Sequence, residues 1–390
     1  MARLWQSGFE LNSTTTGVEF QNVTSMTISS STVRSGTYSG RANPTAGTQF
    51  IRSVVYGSNQ NTAGYARVYI YIASLPTVNT EILRFANGAF GQQCQIRLTT
   101  TGTLQLLSNT PAQVGSDSSA LSLNTWYMVE LKNDATTSPG TIEGRLDGAS
   151  FASGNNTVQG SWANVVIGCI STATTADIYF DDWAINDGTG SYQTSYPGSG
   201  KIVHLKPNAN GTTNSWTIGA GSGSNYEQVD EVTPDDATTY LRSRTTNEVD
   251  EYAIEAFPGN SYDTINCIGV GFRATRSAGT TSSGMKVRIR SGSSIETATT
   301  EELATNSSFR TNDLDTNNAS PFSLVSYVSP ATSTAWTPTD VDSAEIGVIT
   351  STGSGDRYVH LGTIWASVDY ATGTPPAPST TKTLGLLGVG

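Results

Sequence analysis

Residues 121–187 constrain the fold more than any other stretch of this chain. They read LSLNTWYMVELKND, GTIEGRLDGASF, WANVVIGCIS and ADIYFDDWAIND, four strand-like segments parted by polar turns. Trp126, Met128 and Glu130 fall on one side of an extended chain, and Tyr127, Val129 and Leu131 on the other. That period of two is what a sheet imposes, because successive side chains leave opposite faces. Ile142, Gly144 and Leu146 alternate with Glu143, Arg145 and Asp147, and Asp147-Gly148 is a hairpin-turn dipeptide. The last segment, Ile178 to Ile185, is apolar or aromatic on both faces and reads as a central strand covered on both sides.

The same pattern extends both ways. Arg67–Ala73, Glu81–Phe85, Cys94–Leu98 and Thr103–Leu107 are short strands with Gly-containing turns, spaced as in a sandwich. Residues 186–200, NDGTGSYQTSYPGSG, are rich in Gly and Ser and read as a linker. Strands resume at Lys201 and recur to Tyr370. Thr233, Pro234, Asp235 and Asp236 predict one helical turn, as N-cap, N1 and acids near the positive end. The segment 336–348 reads as a turn leading into a core strand. Pro375, Pro376 and Pro378 favour an extended tether. Beyond it lies an apolar end whose Leu384, Leu386, Leu387 and Val389 either fray or dock on a neighbouring subunit. The expected class is all-β: two tandem antiparallel β-sandwich domains at 1–190 and 201–371. A Gly/Ser linker at 191–200 joins them, and a Pro-rich tether with an apolar arm follows at 372–390.

Trp126 with Val129-Glu130-Leu131, the Asp147-Gly148 turn, Ile167-Gly168 and Tyr179-Phe180-Asp181-Asp182 together resemble the concanavalin A-like, laminin-G-like jelly roll. The opening Met1-Ala-Arg-Leu-Trp-Gln-Ser-Gly-Phe-Glu10 resembles phage virion proteins that begin with such a domain. The resemblance covers about residues 1–190, and a vaguer one extends to the second half. It implies a jelly-roll fold and a structural protein of a tailed-phage virion, a head decoration or cement protein in contact with capsid or tail subunits and with its own copies. One fold hosts lectins, lyases and inert modules, so a carbohydrate-binding adhesin, on a virion tail or a cell surface, and a polysaccharide depolymerase remain alternatives.

Charged residues are 14% of the chain, against a usual figure of about 25%. Ser, Thr, Asn, Gln and Gly supply the missing polarity. The net charge of −11 argues against nucleic acid, which demands a basic face, and equally against anionic membranes. No run of 18 apolar residues spans a bilayer. After Met1 no apolar signal region follows, so synthesis in a host cytoplasm and a place in the virion are expected. Cys94, Cys169 and Cys267 sit in strand contexts without a CxxC pair, as buried free thiols do.

The chain carries little catalytic chemistry. His204 and His360 lie inside strand patterns, where a histidine is ordinarily structural, and no nucleophile, base and orienter stand together. A glycosidase needs two carboxylates flanking a sugar. Asp181 and Asp182 form the best acidic pair, but neighbours on a regular strand point apart. No enzyme activity and no cofactor are expected. Asp177, Asp181 and Asp187, with Asn186, are weak candidate oxygen ligands for a hard cation such as Ca²⁺, and turn and edge roles account for them better. Trp162, Tyr192 and Tyr196 are candidate glycan contacts, since sugars stack on aromatic rings. Trp183, in the central strand, reads as core.

Overall fold

The computed structural model describes residues 2–54, 56, 59–277, 283–304, 308–312, 322–353 and 357–374. Leu384, Leu386, Leu387 and Val389 lie outside the described residues. The chain is all-β, as the alternation predicts. Residues 3–187 build two facing sheets, and residues 201–371 build two more.

The first sheet contains β1 (Arg3–Ser7), β2 (Ala63–Ser74), β3 (Trp126–Asp134) and β4 (Asp177–Asp187). From edge to edge it runs Ala149–Asn155, Thr141–Leu146, β3, β2, β4, Ser39–Ala42 and Thr27–Ser29. β1 pairs with the Trp183–Asn186 end of β4, and Ser39–Ala42 pairs with its Ile178–Phe180 end. The opposing sheet is centred on Thr80–Ala86 and Asn164–Thr174. Val68, Ile70, Val129, Leu131, Ile178 and Phe180 from one sheet share a buried core with Leu83, Phe85, Ile96, Val165 and Ile167 from the other. The expectation that β4 is covered on both sides is met: residues 178–186 are all buried.

The second pair of sheets repeats the plan. β5 (Lys201–Leu205), β6 (Thr264–Arg276) and β7 (Val359–Ala371) lie in one sheet. Val249–Ile254, Ala344–Thr352 and Ser283–Ser291 lie in the other. Phe272, Ile364 and Val368 pack with Tyr252, Val287, Ile289 and Ile346. The pairings β6–β7 and β5–β7 are antiparallel.

One local expectation fails. The helical turn predicted at Thr233 does not form, because Asp236 takes a left-handed backbone (φ 55°) and turns its carboxylate to Arg273. The same capping chemistry operates instead at Thr337, ahead of the short helix Pro338–Asp342. There the Thr337 hydroxyl accepts from the Asp340 N–H (3.1 Å) and the Asp340 carboxylate accepts from the Thr337 N–H (3.0 Å), a reciprocal capping box with proline at N1.

The two sandwiches meet across buried polar groups. Asp369 on β7 lies 2.7 Å from Arg3 and 3.4 Å from Arg67, and all three side chains are fully buried. Arg3 Nε donates to Asn186 (2.6 Å) and Gln6 Nε2 donates to the Ser367 carbonyl (2.8 Å). The buried Cys267 thiol donates to Gln6 (3.4 Å). The connecting segment is fixed to the same place. Gly198 N–H donates to Glu130 (2.9 Å), the Gly198 carbonyl accepts from Arg67 (3.0 Å), and Gly200 N–H donates to the Tyr69 hydroxyl (3.3 Å). A Cβ on Gly200 would fall 2.4 Å from both Arg67 and Asp369, so only glycine lets the chain pass the ion pair. All three cysteines are buried and unpaired.

Removing one member of a buried charge group leaves the others uncompensated. Asp369→Ala should therefore cost about 3–5 kcal/mol of unfolding free energy in urea titration. A second expectation concerns pH. Burial pushes the Glu19 carboxyl up to about 8 although the Ser7 hydroxyl donates to it. Its folded pKa lies above the unfolded value, so it stabilises the fold fully at low pH, and that contribution is lost as pH rises through about 8. Unfolding free energy measured by urea titration should fall between about pH 5 and about pH 9 by a few kcal/mol, and Glu19→Gln should flatten the slope.

Candidate functional site

The three candidate cation ligands do not converge. Asp177 and Asp187 are the two ends of β4, about 33 Å apart at the rise of an extended strand. Asp177 forms a two-pronged pair with Arg41 (both bonds 2.8 Å). Asp187 accepts from the Thr189 N–H (3.0 Å) and hydroxyl (2.8 Å). Asp181 is buried and accepts the N–H groups of Arg34 (2.8 Å) and Ser35 (3.3 Å). Burial and the neighbouring Asp182 push its carboxyl well above the ordinary range. Among the described residues no three His, Cys, Asp or Glu side chains group as a metal site.

The inference that Asp181 and Asp182 must point apart also fails. The pairing of β4 with β2 shifts register between Asp181 and Ala184, and Asp182 has φ 50°, so the strand is bulged there. Both carboxylates reach the loop at 34–35, Asp182 through the Ser35 hydroxyl and the Arg34 guanidinium. Asp182 also accepts the Ile202 N–H (2.5 Å). The pair is enclosed and serves to tie that loop and β5 together.

The aromatic candidates separate into three environments. Trp162 is 0% exposed, stands edge-on to Phe85 and Tyr56, and donates its indole N–H to the Thr62 carbonyl (3.1 Å). It belongs to the core, which removes it as a glycan contact. Tyr196 lies beneath the Arg145 guanidinium (3.8 Å to the ring centre) and edge-on to Tyr65, so one ring face is taken. Tyr192 is 49% exposed and stacks on Tyr327 at 5.0 Å with 13° between the planes.

Tyr192 and Tyr327 form one wall of a groove of about 380 Å³. Gln193, Thr264, Asn266, Ser333 and Thr334 supply amides and hydroxyls around it, and Ile265, Val328 and Ala335 supply the apolar part. Among the described residues none that lines it is charged. The Tyr327 hydroxyl accepts the Arg3 N–H (2.7 Å), which fixes the ring against the junction. Sequence reasoning reached Tyr192 and missed the other walls, because they come from segments 70 to 140 residues further along the chain, as read from the numbering. The one available signal was Tyr327 itself, an aromatic just past the short strand Val325–Ser326.

The histidines are structural or enclosed. His360 stacks on Tyr240 (4.5 Å), and burial with Arg242 nearby lowers it to about 4. Burial lowers His204 to about 3.

No protein-family model matches the chain, and no curated protein matches it. Solved structures do. Domain 4 of an extracellular arabinanase from Geobacillus stearothermophilus, in complex with arabinotriose, is similar at 15% identity, covering 49% of this chain and 95% of that one, with a TM-score of 0.33. The tandem CBM22 carbohydrate-binding modules of Xyn10C from Paenibacillus barcinonensis are similar at 10% identity, covering 94% of this chain and 97% of that one, with a TM-score of 0.27. Trypanosoma rangeli sialidase is similar at 15% identity and a TM-score of 0.34. This chain spans 30% of the sialidase's length.

Core and contact roles are separable by experiment. Trp162→Ala should cost about 3–5 kcal/mol in thermal or urea unfolding. Tyr192→Ala, which loses only a half-exposed ring stack, should cost about 1 kcal/mol or less in the same assay.

Proposed function

We propose that this protein is a non-catalytic carbohydrate-binding protein whose sugar site is the Tyr192–Tyr327 groove. The observation that carries the reading is an exposed Tyr192 stacked on a half-buried Tyr327 over a groove whose described lining is neutral. A sugar ring has an apolar C–H face and a rim of hydroxyls. The tyrosine face takes the first, and the amides of Gln193 and Asn266 with the hydroxyls of Thr264, Ser333 and Thr334 take the second. Ligand sites are concave and largely apolar, with a few placed polar groups that set orientation, and tyrosine serves both needs. Without charge on its wall, the groove favours neutral sugars over uronic or sialic acids.

A surface glycan repeats, and a protein displayed in many copies gains from that repetition without any new contact. Display on a tailed-phage particle, suggested by the resemblance of the first 190 residues, is the setting in which one weak groove per chain becomes firm adhesion.

A glycan array followed by calorimetric titration tests the reading. Binding of a neutral oligosaccharide is expected, with affinity falling about ten-fold or more in Tyr192→Ala. Affinity should change less than about two-fold between low and high salt, since no ion pair is made. An array without neutral hits, an affinity untouched by Tyr192→Ala, or turnover of the bound glycan would each overturn it.

A further inference from the structure

At the other end of the junction the sandwiches enclose a second hollow of different character. Its deeper part, about 190 Å³, is lined by Glu10, Leu11, Thr37 and Tyr38 from the first sandwich and by His204, Lys206, Glu231, Val232, Glu255 and Trp365 from the second. An adjoining part of about 410 Å³ shares Glu10, Thr37, His204 and Glu255. Three carboxylates thus face one ammonium group, and burial keeps His204 neutral.

Each carboxylate is held in place. Glu10 accepts the N–H groups of Thr37 (3.0 Å) and Tyr38 (3.2 Å). Glu231 accepts the Thr239 hydroxyl, and Glu255 accepts the Lys206 N–H (3.3 Å). The His204 ring stacks on Trp365 (5.7 Å, 27°). Neither His204 nitrogen has a hydrogen-bond partner, nor has the indole N–H of Trp365, a residue only 4% exposed. Buried polar groups are nearly always paired, and a hydroxyl-bearing ligand offers both the donor and the acceptor that these groups lack.

We propose that this hollow is a second ligand site, separate from the Tyr192 groove, for a small hydroxylated organic cation such as an aminated polyol. The ammonium group supplies the positive charge that Lys206 alone does not, and the hydroxyls address the unpaired nitrogens of His204. Desolvation raises both Glu10 and Glu231 to about 7, which is the mark of carboxylates short of a cation. Behind Glu10 stand Glu19 and Asp182. Beside Glu231 stand Asp230 and Asp235, and Asp230 also faces Lys206. Every one of these neighbours but Lys206 is acidic, so a bound ammonium favours ionised carboxylates and its affinity rises with pH.

The probes are 1-amino-1-deoxysorbitol and sorbitol, which differ by one amine in place of one hydroxyl. Titrated into the full-length protein, the amine should bind about ten-fold or more tightly than sorbitol. Its affinity should rise several-fold from about pH 6 to about pH 8. Glu10→Gln and Glu231→Gln should each weaken it, and Tyr192→Ala should leave it unchanged, which keeps this site distinguishable from the sugar groove. Near-UV circular dichroism checks the fold of each variant, and Glu231→Gln decides if Glu10→Gln does not fold. Equal binding of the two probes, no binding of the amine, or indifference to the glutamate substitutions would overturn the assignment.

Discussion

The contact on which the rest of this structure depends is the buried group of Arg3, Arg67 and Asp369. Two guanidinium groups and one carboxylate carry a surplus positive charge into the interior. Burial by itself would raise the Asp369 carboxyl, yet Arg67 and Arg3 hold it below the ordinary range. Such a group adds little net stability compared with a well-packed apolar one. What it does supply is orientation. Arg3 comes from the first strand, Arg67 from the middle of the first sheet and Asp369 from the last strand, so the charges are matched in one relative placement of the sandwiches. Slippage would leave ions buried and unpaired, at a cost of several kcal/mol. An apolar interface would tolerate slippage far more readily.

β1 is the splint that carries this constraint along the junction. It pairs with β4 through Trp183, Ala184, Ile185 and Asn186, and Trp5 packs edge-on against Trp183 at 4.7 Å, so its inward face belongs to the first core. Its outward groups, Arg3 and Gln6, belong to the second sandwich through Asp369 and Ser367. A register shift between Arg3 and Trp5 breaks the alternation and brings Arg3 to the side of Gln6, so the strand has one apolar face and one hydrogen-bonding face. A glycine at 200 and a bulge at Asp182 complete the fit. Each gives up regular geometry so that the connecting segment can lie on the sheet beside the ion group, and a segment that reads as a flexible linker becomes a fixed part of the interface.

The sheets were legible from periodicity because burial on one face imposes a period of two that no other element produces. Val129 and Leu131 are in the core, as their positions require, and Trp183 is core as its central strand requires. What the pattern conceals is where it breaks. Asp181 and Asp182 share a loop instead of diverging, because a bulge is a single inserted residue with no composition of its own. Trp162 read as a surface aromatic beside Ser161 and two positions before Asn164, although it fills the space between Phe85 and Tyr56. Thr233 and Thr337 carry nearly the same capping residues, and the outcome was decided by Arg273, whose pull on Asp236 is a tertiary fact. The groove at Tyr192 was half visible for the same reason. Tyr327, Asn266 and Thr334 become its neighbours only once the two sandwiches are locked.

That locking also explains why two hollows of opposite character can share one junction. Tyr327 is anchored by the Arg3 N–H at one end of β1, and Glu10 follows shortly after its other end. The strand between Arg3 and Ser7 spans about 13 Å and holds the two hollows apart. Between the hollows lies the positive surplus of Arg3 and Arg67, itself closed off from solvent. Glu10, Glu231 and Glu255 line the one hollow, and the described residues around Tyr192 are neutral. A single cavity combining the two linings would bind a neutral sugar poorly, because unpaired carboxylates would lose water and gain nothing. Holding them at opposite ends of a rigid strand lets one interface present a charge-free surface and an acidic one independently, and the strand can be rigid only because the buried ions fix both of its neighbours.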